Sequence, residues 1–490
     1  MASVKKNLFY SIANMLSGLL YPLVTFPYAT RIMQADGIGQ VNFFTSIITY
    51  ITLFISVGIP VYATREIARV RDNEKLKNNT AIEILALHLI LTVVGYIVVL
   101  VMCLFVDKVQ VNIPLFLIIS TSIFFTTIGC EWFYQGVEEF KYITIRNLVV
   151  KALAAVLLFI LVKSKGDLLL YGTITIFGTA GNNVLNFLRL KNYLHFKSID
   201  FGNFKPFKHF IPSCRVFVLN LIISLYIDLN PIMLGFMKDV TAVGLFTAAS
   251  KIAHLLLGIP LALQAVMLPR MSNLVYSQKN EEFKALSQRI VDFIFTICFP
   301  LAIGLMIVAP ALIYILCGST FSDAVVPLII MAPIIPIIGL SGAFGWQILY
   351  PQGKENIVIL ATSLGALSNI ILNLLLIPYL SYNGASISTL VAETIVTITL
   401  FIKGRCFLPI ATFNSHYAKC IVGCLVMGIV CYCFKILEMP PYLEIIIIPI
   451  IGTIVYSLFM LLIVKDSFAQ QTYHYVNNSL SKAKQKVKRL

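Results

Sequence analysis

Residues 219–260 read LNLIISLYIDLNPIMLGFMKDVTAVGLFTAASKIAHLLLGIP, and this stretch decides the class of fold. Two apolar runs joined by a short polar turn predict a pair of helices, each long enough to cross a lipid bilayer. Each predicted helix carries a charged residue near the middle of the bilayer, Asp228 in the first and Lys251 in the second. His254 lies one helical turn after Lys251, and therefore on the same helix face.

The two midplane charges allow two interpretations. A charged side chain at the centre of a bilayer costs at least about 2.5–3.5 kcal/mol, so it usually faces a partner or a water-filled cavity. Asp228 and Lys251 could form an ion pair that only locks the two helices together. Alternatively, they could line a polar cavity at the membrane midplane, where transporters bind substrates and coupling ions. The remaining sequence favours the cavity.

The composition excludes a soluble globular protein. Hydrophobic residues make up 59% of the 490 residues and charged residues 12%, and the mean hydropathy is +0.89. The formal net charge of +15 comes from Lys and Arg concentrated in alternate loops and in the tail. This distribution follows the positive-inside rule and argues against a nucleic-acid partner. We therefore predict an integral membrane protein whose surroundings are the lipid bilayer.

The pattern of apolar runs predicts an all-α fold. About fourteen runs of about 20 residues, separated by short polar connections, indicate about fourteen transmembrane helices. No cleavable signal peptide is expected before the first of them. An even number of crossings puts both termini on one side, and the basic loops make that side the cytoplasm. The predicted divisions are an N-terminal bundle in 1–210, a C-terminal bundle in 211–404, two additional helices in 405–464 and a basic cytoplasmic tail in 465–490.

A weak internal repeat supports two similar bundles of six helices. Residues 43–60 read FFTSIITYITLFISVGIP, and residues 245–260 read LFTAASKIAHLLLGIP. Both segments contain Phe-Thr near their start and end on Gly-Ile-Pro. Two pseudo-symmetric bundles that face each other form an architecture that permits alternating access.

The sequence contains no motif for catalysis or ATP binding. We find no G-x-x-x-x-G-K-[ST], H-E-x-x-H or G-x-S-x-G pattern and no paired-cysteine zinc pattern. His416, Cys420 and Cys424 have the i, i+4, i+8 spacing of metal ligands, but ten cysteines scattered through apolar runs are better explained as packing residues. We therefore predict a protein that is not an enzyme and has neither a cofactor nor a metal site.

Further charged residues are candidates for a transport pathway. Arg31 lies just outside the first span, and Lys151 and Arg215 lie one or two turns from the cytoplasmic face. These cations could guide a phosphate-bearing headgroup through a cavity, or each could extend to the membrane interface. Glu393 lies near the middle of the twelfth span, where it could couple transport to a proton or another cation or make a structural hydrogen bond.

Five segments of the chain carry a family resemblance. They are YPLVTFPYATRIMQADGIGQVNF (21–43), SVGIPVYATREIARVRDNEKL (56–76), GCEWFYQGVEEFKYITIRN (129–147), GKEN (353–356) and NGASISTLVAE (383–393). In this order they resemble the Wzx-type polysaccharide flippases. These belong to the superfamily that also holds the multidrug and toxic-compound extruders (MATE) and the lipid II flippase. Gln34-Ala35 and Glu131 depart slightly from the family pattern, without affecting the class.

The resemblance implies a MATE-like fold of fourteen helices in two lobes around a cationic central cavity. It implies that an undecaprenyl-diphosphate-linked oligosaccharide moves from the cytoplasmic to the outer leaflet of the bacterial inner membrane, for assembly of O-antigen, capsule or exopolysaccharide. Lys251 would then meet the diphosphate or an acidic sugar. Because nothing in the chain binds ATP, an H+ or Na+ gradient or removal of the product outside would set the direction. Other polysaccharide assembly proteins are expected partners.

Three other functions remain open on the sequence. A cation-coupled multidrug exporter would have the same fold, although a cationic lumen argues against it. A membrane glycosyltransferase or polymerase of the same pathway would have to make glycosidic bonds. A scaffold for the assembly machinery would tolerate charge-neutral changes at Asp228, Lys251 and Glu393.

Overall fold

The structure is a computed structural model and describes residues 4–194, 204–214, 217, 229–410 and 415–464. All regular secondary structure in these ranges is helical. Nine of the helices described here are long and apolar enough to cross a membrane, and a bent pair, Ser319–Met331 and Ile334–Leu349, could form a tenth span. The predicted all-α membrane fold is confirmed, and the total of about fourteen transmembrane helices stays a prediction.

The chain packs as two compact units. Unit 1 comprises Met1–Ala248, Leu316–Phe321 and Asn369–Ser388, and unit 2 comprises Ala249–Ile315, Ser322–Ser368 and Thr389–Leu490. The domain boundaries that the sequence predicts at residues 210, 404 and 464 remain predictions.

The helices that begin in unit 1 are numbered in chain order. They are α1 Val4–Ser56, α2 Ile59–Val70, α3 Glu74–Phe105, α4 Asp107–Gln110, α5 Ile113–Gly129, α6 Glu131–Gly136, α7 Phe140–Leu161, α8 Leu168–Ala180, α9 Asn182–Leu190, α10 Leu229–Met237 and α11 Val240–Tyr276. The run α1 is interrupted at Gln34, where φ is 55° and ψ is −173°, so it consists of two helices joined at a sharp break.

The helices that begin in unit 2 follow these within the described part of the chain. They are α12 Asn280–Phe293, α13 Phe299–Cys317, α14 Val325–Met331, α15 Ile334–Gly342, α16 Glu355–Gly404, α17 Ser415–Lys435 and α18 Pro441–Leu458. Like α1, the run α16 is broken at one residue, Ser381, where φ is 51°. Three π-helical turns, at Ile294–Cys298, Ala343–Leu349 and Phe459–Val464, continue α12, α15 and α18.

The exposed faces of the long helices are apolar. On α3, Val93, Ile97, Leu100 and Leu104 are all more than half exposed. A soluble protein would bury such a stripe, whereas in a bilayer the same residues contact lipid chains.

An aromatic core holds one end of unit 1 together. The short helix α6 buries Trp132, Phe133 and Tyr134 against α2 and α3. A Cβ atom on Gly136 would lie 2.7 Å from the side chain of Ile67, so only glycine permits α6 to approach α2 this closely. The segment EWFYQG therefore packs closely against α2 and α3.

The second half of α1 crosses the start of α11 with their backbones in contact, within unit 1. A Cβ atom on Gly39 would lie 1.6 Å from the carbonyl oxygen of Val240, and one on Gly244 would lie 2.0 Å from that of Ala35. Small residues allow such crossings in membrane helices because no side chain separates the backbones. This contact explains why the first turns of α11 belong to unit 1.

Three cysteines of α17 are packing residues in unit 2. Cys420, Cys424 and Cys431 are buried in a core with Ile448 of α18 and Val308 of α13. The Nε2 atom of His416 lies 3.4 Å from Cys420 Sγ. Within the described part of the chain, no group of three or more His, Cys, Asp or Glu residues is arranged to hold a metal ion.

Candidate functional site

Eight polar side chains converge in unit 1 from α1, α6, α7 and α9. Three of these helices, α1, α7 and α9, each contribute more than one side chain. In each of the three, two of the side chains lie three or four positions apart and therefore on the same helix face. Polar residues in apolar helices are costly unless they find partners, and these residues bond to one another. We call this set the polar cluster: Asn14, Ser17, Glu131, Arg146, Asn147, Lys151, Asn182 and Asn186.

Arg146 is the buried centre of the polar cluster, with 2% of its side chain exposed. Its Nη1 donates a hydrogen bond to Oδ1 of Asn186, 40 residues further along the chain. Its Nε and Nη2 donate to Oδ1 of Asn147 at 3.2 and 2.7 Å, and Nη2 lies 3.4 Å from Oε2 of Glu131. The guanidinium carbon lies 5.5 Å from the centre of the Tyr142 ring. Removing any of these partners would leave a buried charge less compensated.

Asn147 joins three helices. Its Oδ1 accepts from Arg146 and, at 2.6 Å, from Nδ2 of Asn182 on α9, while its own Nδ2 donates to Oδ1 of Asn14 on α1 at 2.9 Å. Because Asn147 accepts on one side and donates on the other, the network fixes its carboxamide in one orientation. Asn147 therefore sets the positions of the neighbouring side chains.

Lys151 is the half-exposed cation of the polar cluster. It lies one turn after Asn147, and its Nζ donates to Oγ of Ser17 at 3.2 Å. Ser17 in turn donates to the backbone oxygen of Asn14 at 2.6 Å. With Arg146 and the single carboxylate of Glu131, the cluster carries one net positive charge. These contacts place Lys151 in a polar environment within the apolar helices. The role predicted for Lys151 stays a prediction.

Two buried polar atoms of the cluster have no hydrogen-bond partner among the described residues. One is Oδ1 of Asn182, an acceptor, and the other is Nδ2 of Asn186, a donor. Asn186 is fully buried, and the two residues are one turn apart on α9. A buried polar atom without a partner costs about 1–3 kcal/mol.

The other predicted site residues lie outside the polar cluster. Arg31 is an exposed residue of α1, 14 residues beyond Ser17 and therefore about 20 Å further along the helix. Lys251 and His254 lie on α11 in unit 2, where Lys251 is half-buried and His254 is exposed. The Nδ1 atom of His254 lies 2.7 Å from the backbone oxygen of Ser250.

Of the remaining acidic and basic candidates, one lies in unit 2 and two lie outside the described residues. Glu393 lies on α16 in unit 2 and is buried. Asp228 and Arg215 lie outside the described residues, so the Asp228–Lys251 ion pair stays a prediction. The roles predicted for all seven charged residues likewise stay predictions.

Sequence reasoning named one residue of the polar cluster as a site candidate, Lys151, and missed its centre. Arg146 and Asn147 end the segment ITIRN, which the sequence marks only as part of a family motif. A usable signal was present, since asparagines recur at one-turn spacing at 182 and 186 in a weakly charged region. What the spacing could not indicate is that they meet Arg146.

Unit 2 contains a separate apolar cavity of about 600 Å³. Its walls come mainly from α13, α17 and α18, and its few polar residues include Thr296, Thr453 and Tyr456. The apolar lining includes Leu256, Pro300, Leu301, Leu305, Val308, Leu312, Met427, Ile448 and Pro449. The Cβ position of Gly304, also in this wall, has no neighbour within 4 Å, so the wall is open at this point.

The described helices define the class of fold. The chain has an all-α fold like that of a lipid II flippase and that of a multidrug transporter. It is similar to the lipid II flippase MurJ in an inward closed conformation, with a TM-score of 0.72 and 16% identity over 94% of this chain and 99% of that one. It is also similar to an inward-facing MATE family transporter of the MOP superfamily, with a TM-score of 0.65 and 16% identity over 79% of this chain and 93% of that one.

The family follows from the sequence match. Residues 3–275 match the polysaccharide biosynthesis protein family, and the chain belongs to this family. A protein of Escherichia coli strain K12 described as an O-antigen transporter is 24% identical over 409 residues, covering 82% of this chain and 97% of the relative. A protein of Shigella dysenteriae with the same description is 26% identical over 408 residues, covering 81% and 98%. The predicted family resemblance is confirmed.

Proposed function

We propose that this protein is a flippase that moves lipid-linked oligosaccharide repeat units across the bacterial inner membrane, from the cytoplasmic to the outer leaflet. The observation that carries this proposal is the polar cluster, a charged and carboxamide-rich site within apolar helices of a polysaccharide biosynthesis protein. The relatives described as O-antigen transporters support the same substrate class. They are transporters by description, which agrees with the prediction that the chain is not an enzyme.

The chemistry of the substrate matches what each unit offers. A diphosphate with several sugars cannot cross hydrocarbon unaided, because its charges and hydroxyl groups would lose their hydrogen bonds to water. The polar cluster in unit 1 supplies cations, a carboxylate and carboxamides as replacements. The apolar cavity in unit 2 is by itself a candidate site for a polyprenyl chain.

The individual charges take the following roles in the proposal. Lys151 binds the diphosphate within the polar cluster of unit 1, and Lys251 with His254 forms a separate candidate contact for an anionic headgroup in unit 2. Arg31 and Arg215 attract the anionic headgroup to the pathway. The two acidic residues near the midplane, Asp228 and Glu393, couple transport to H+ or Na+. Both termini lie in the cytoplasm, as the distribution of Lys and Arg indicates.

The alternative of a cation-coupled multidrug exporter fits the fold equally well. Its substrates are amphipathic cations, however, and the polar cluster carries one net positive charge. Like charges at short distance in a poorly solvated site repel strongly. The headgroup of a lipid-linked diphosphate, which is anionic, is the better electrostatic partner.

A transport assay tests this function directly. The purified full-length protein is reconstituted in liposomes with a fluorescent undecaprenyl-diphosphate oligosaccharide, and its movement between leaflets is measured. We expect movement with the wild-type chain and at least about tenfold less with Lys151→Ala, because one charge-assisted contact contributes roughly 1.5–3 kcal/mol. The matched control is Lys163→Ala, an exposed lysine two residues beyond the end of α7. No movement with the wild-type chain would overturn the flippase assignment.

A further inference from the structure

One short segment of unit 1, residues 204–214, exposes apolar and basic side chains together. Phe207 is 64% exposed and Ile211 is 67% exposed, although both are large apolar residues. Half of the Lys208 side chain is exposed as well. We call the exposed set of this segment the interfacial patch: Lys205, Phe207, Lys208, Phe210 and Ile211.

The segment is amphipathic. Residues 206–214 are helical, and Phe207, Phe210 and Ile211 have the i, i+3, i+4 spacing of one helix face. His209 and Ser213 are also one turn apart, but they are buried, so the opposite face packs against the rest of unit 1. A helical segment with an exposed apolar face and flanking lysines is typical of a chain that lies in the plane of a membrane interface.

A buried carboxylate of α3 fixes the position of the segment. Glu83 accepts hydrogen bonds from the backbone nitrogen of Lys205 at 2.8 Å and from Nε2 of His209 at 3.2 Å, and its Oε2 lies 2.6 Å from Nζ of Lys208. The interfacial patch is therefore held at the level of Glu83.

The surface of α3 shows where this level lies relative to the bilayer. The exposed residues before Glu83 include Glu74 and Lys75, whereas those after it include Leu89 and Ile90. Glu83 lies between the two groups, about 12 Å along the helix from Lys75 and about 9 Å from Leu89. Charged side chains face water and exposed apolar ones face lipid, so Glu83 and the patch lie at the border between them.

The charges of the patch select the kind of lipid. The Glu83 carboxylate is buried, whereas Lys205 and Lys208 are exposed, so the charge presented at the surface is positive. An ammonium group has three donors, and its contact with Glu83 leaves Lys208 able to bind a second oxygen. Exposed lysines at a membrane surface favour anionic headgroups over zwitterionic ones.

We propose that the interfacial patch binds anionic phospholipids of the adjacent leaflet. Phe207, Phe210 and Ile211 lie among the upper parts of the acyl chains, and the two lysines bind the headgroup phosphates. These lipids are components of the bilayer surface and not the transported molecule. The inference goes beyond the proposed function, since it depends on the membrane fold and on the segment 204–214 alone.

Fluorescence quenching in nanodiscs tests the lipid contact at the patch itself. The full-length chain carries Phe207→Trp in a Trp346→Phe background, where the other native tryptophan, Trp132, is buried. The nanodiscs contain equal amounts of phosphatidylglycerol and phosphatidylcholine, and only one of the two lipids is brominated. We expect the new indole to be quenched more strongly when phosphatidylglycerol carries the bromine.

Charge variants in the same background measure the selectivity. Lys205→Gln should reduce the preference for phosphatidylglycerol about fivefold, the contribution of one lysine near an anionic surface, and Lys205→Arg should retain it. The matched control is Lys163→Gln, an exposed lysine beyond the end of α7, which should change nothing. Added inorganic phosphate should leave the preference unchanged, because a free anion lacks the acyl chains that contact the apolar face.

Several results would overturn the inference. Absence of quenching by either brominated lipid would place the patch outside the bilayer surface. Equal quenching by both lipids would remove the selectivity for anionic headgroups, and loss of the preference in added phosphate would indicate a site for a soluble anion. An equal loss in Lys205→Gln and Lys205→Arg would assign the effect to local structure. Failure of the wild-type chain to move lipid-linked oligosaccharide would overturn the flippase proposal and leave this lipid site intact.

Discussion

The Nζ atom of Lys208 lies 2.6 Å from Oε2 of Glu83, and this pair joins the segment 204–214 to α3. Glu83 is 2% exposed, and it also accepts hydrogen bonds from the backbone nitrogen of Lys205 at 2.8 Å and from Nε2 of His209 at 3.2 Å. The opposite ring nitrogen of His209 lies 2.8 Å from the hydroxyl oxygen of Tyr62 on α2. One buried carboxylate thus anchors a segment that follows α9 in the chain.

Replacing this carboxylate should loosen the segment. Glu83→Leu removes three acceptor contacts and leaves the backbone nitrogen of Lys205 and Nε2 of His209 without these partners. We expect a loss of about 1–3 kcal/mol in the free energy of unfolding and faster hydrogen exchange in residues 204–214. Glu282→Leu, which removes a half-exposed partner of Lys279, should cost at most about 1 kcal/mol. Equal exchange rates in the wild-type chain and Glu83→Leu would contradict the anchoring role.

The same anchor should weaken in acid. Burial lowers the pKa of His209, and the adjacent Lys208 lowers it further, while Glu83 and Glu66 act in the opposite direction. Its imidazole is therefore neutral in the folded protein at pH values where the unfolded chain already binds a proton. The stabilisation is complete above about pH 6.5 and is lost as the pH falls below that value. Hydrogen exchange of residues 204–214, corrected for intrinsic rates, should rise between about pH 6.5 and pH 5.

The variant His209→Asn tests whether His209 causes this pH dependence. His209→Asn keeps a polar group near Glu83 but cannot titrate in this range, so it should flatten the pH dependence of exchange in residues 204–214. A pH dependence that persists in His209→Asn would assign the effect to another group.

Arg146 should be the most sensitive position of the polar cluster. Arg146→Ala leaves Glu131, Asn147 and Asn186 without their common donor, and we expect a loss of about 1–3 kcal/mol in stability. Arg146→Lys keeps the charge but has no planar fork of donors, so it should retain folding and lose most transport. Thermal unfolding in detergent and surface polysaccharide display measure the two effects. Full display with Arg146→Lys would show that the orientation of the asparagines is unimportant.

Gly39 should tolerate no side chain. In Gly39→Ala the new Cβ would lie 1.6 Å from the carbonyl oxygen of Val240. Either α1 and α11 must move apart or the backbone at this crossing must change its conformation. We expect a lower unfolding temperature and reduced transport. In Gly166→Ala the nearest atom to the new Cβ is 3.5 Å away, and both properties should stay unchanged. Wild-type stability of Gly39→Ala would show that this crossing is not close-packed in the membrane.

Filling the apolar cavity of unit 2 should affect long lipids selectively. Gly304→Phe places a large side chain in the open wall, whereas Gly304→Ala adds one methyl group. With an undecaprenyl substrate we expect Gly304→Phe to reduce transport in liposomes several-fold, and with a short-chain analogue of about three isoprene units we expect little change. Equal loss with both lipids would assign the defect to folding, and no loss with either would exclude the cavity as the site of the lipid chain.

The amino-acid sequence by itself determined the class of this protein. Hydropathy and helical periodicity are local properties, readable over windows of about 20 residues, so they indicated an all-α membrane protein before any contact was known. The same holds for Cys420 and Cys424, whose place in an apolar helix predicted packing residues, and both are buried in the core that contains Ile448. The family motifs were sufficient to indicate a polysaccharide flippase.

Only the tertiary structure decided which polar groups meet. Arg146 is followed in the sequence by Asn147, but its other partners come from α6 and, 40 residues away, from α9. A polar side chain in an apolar helix must find a hydrogen-bond partner, and its own helix can supply only positions about one turn away. The choice among distant partners depends on how the helices cross, and that is set by contacts such as Gly136 against Ile67, which no local pattern encodes.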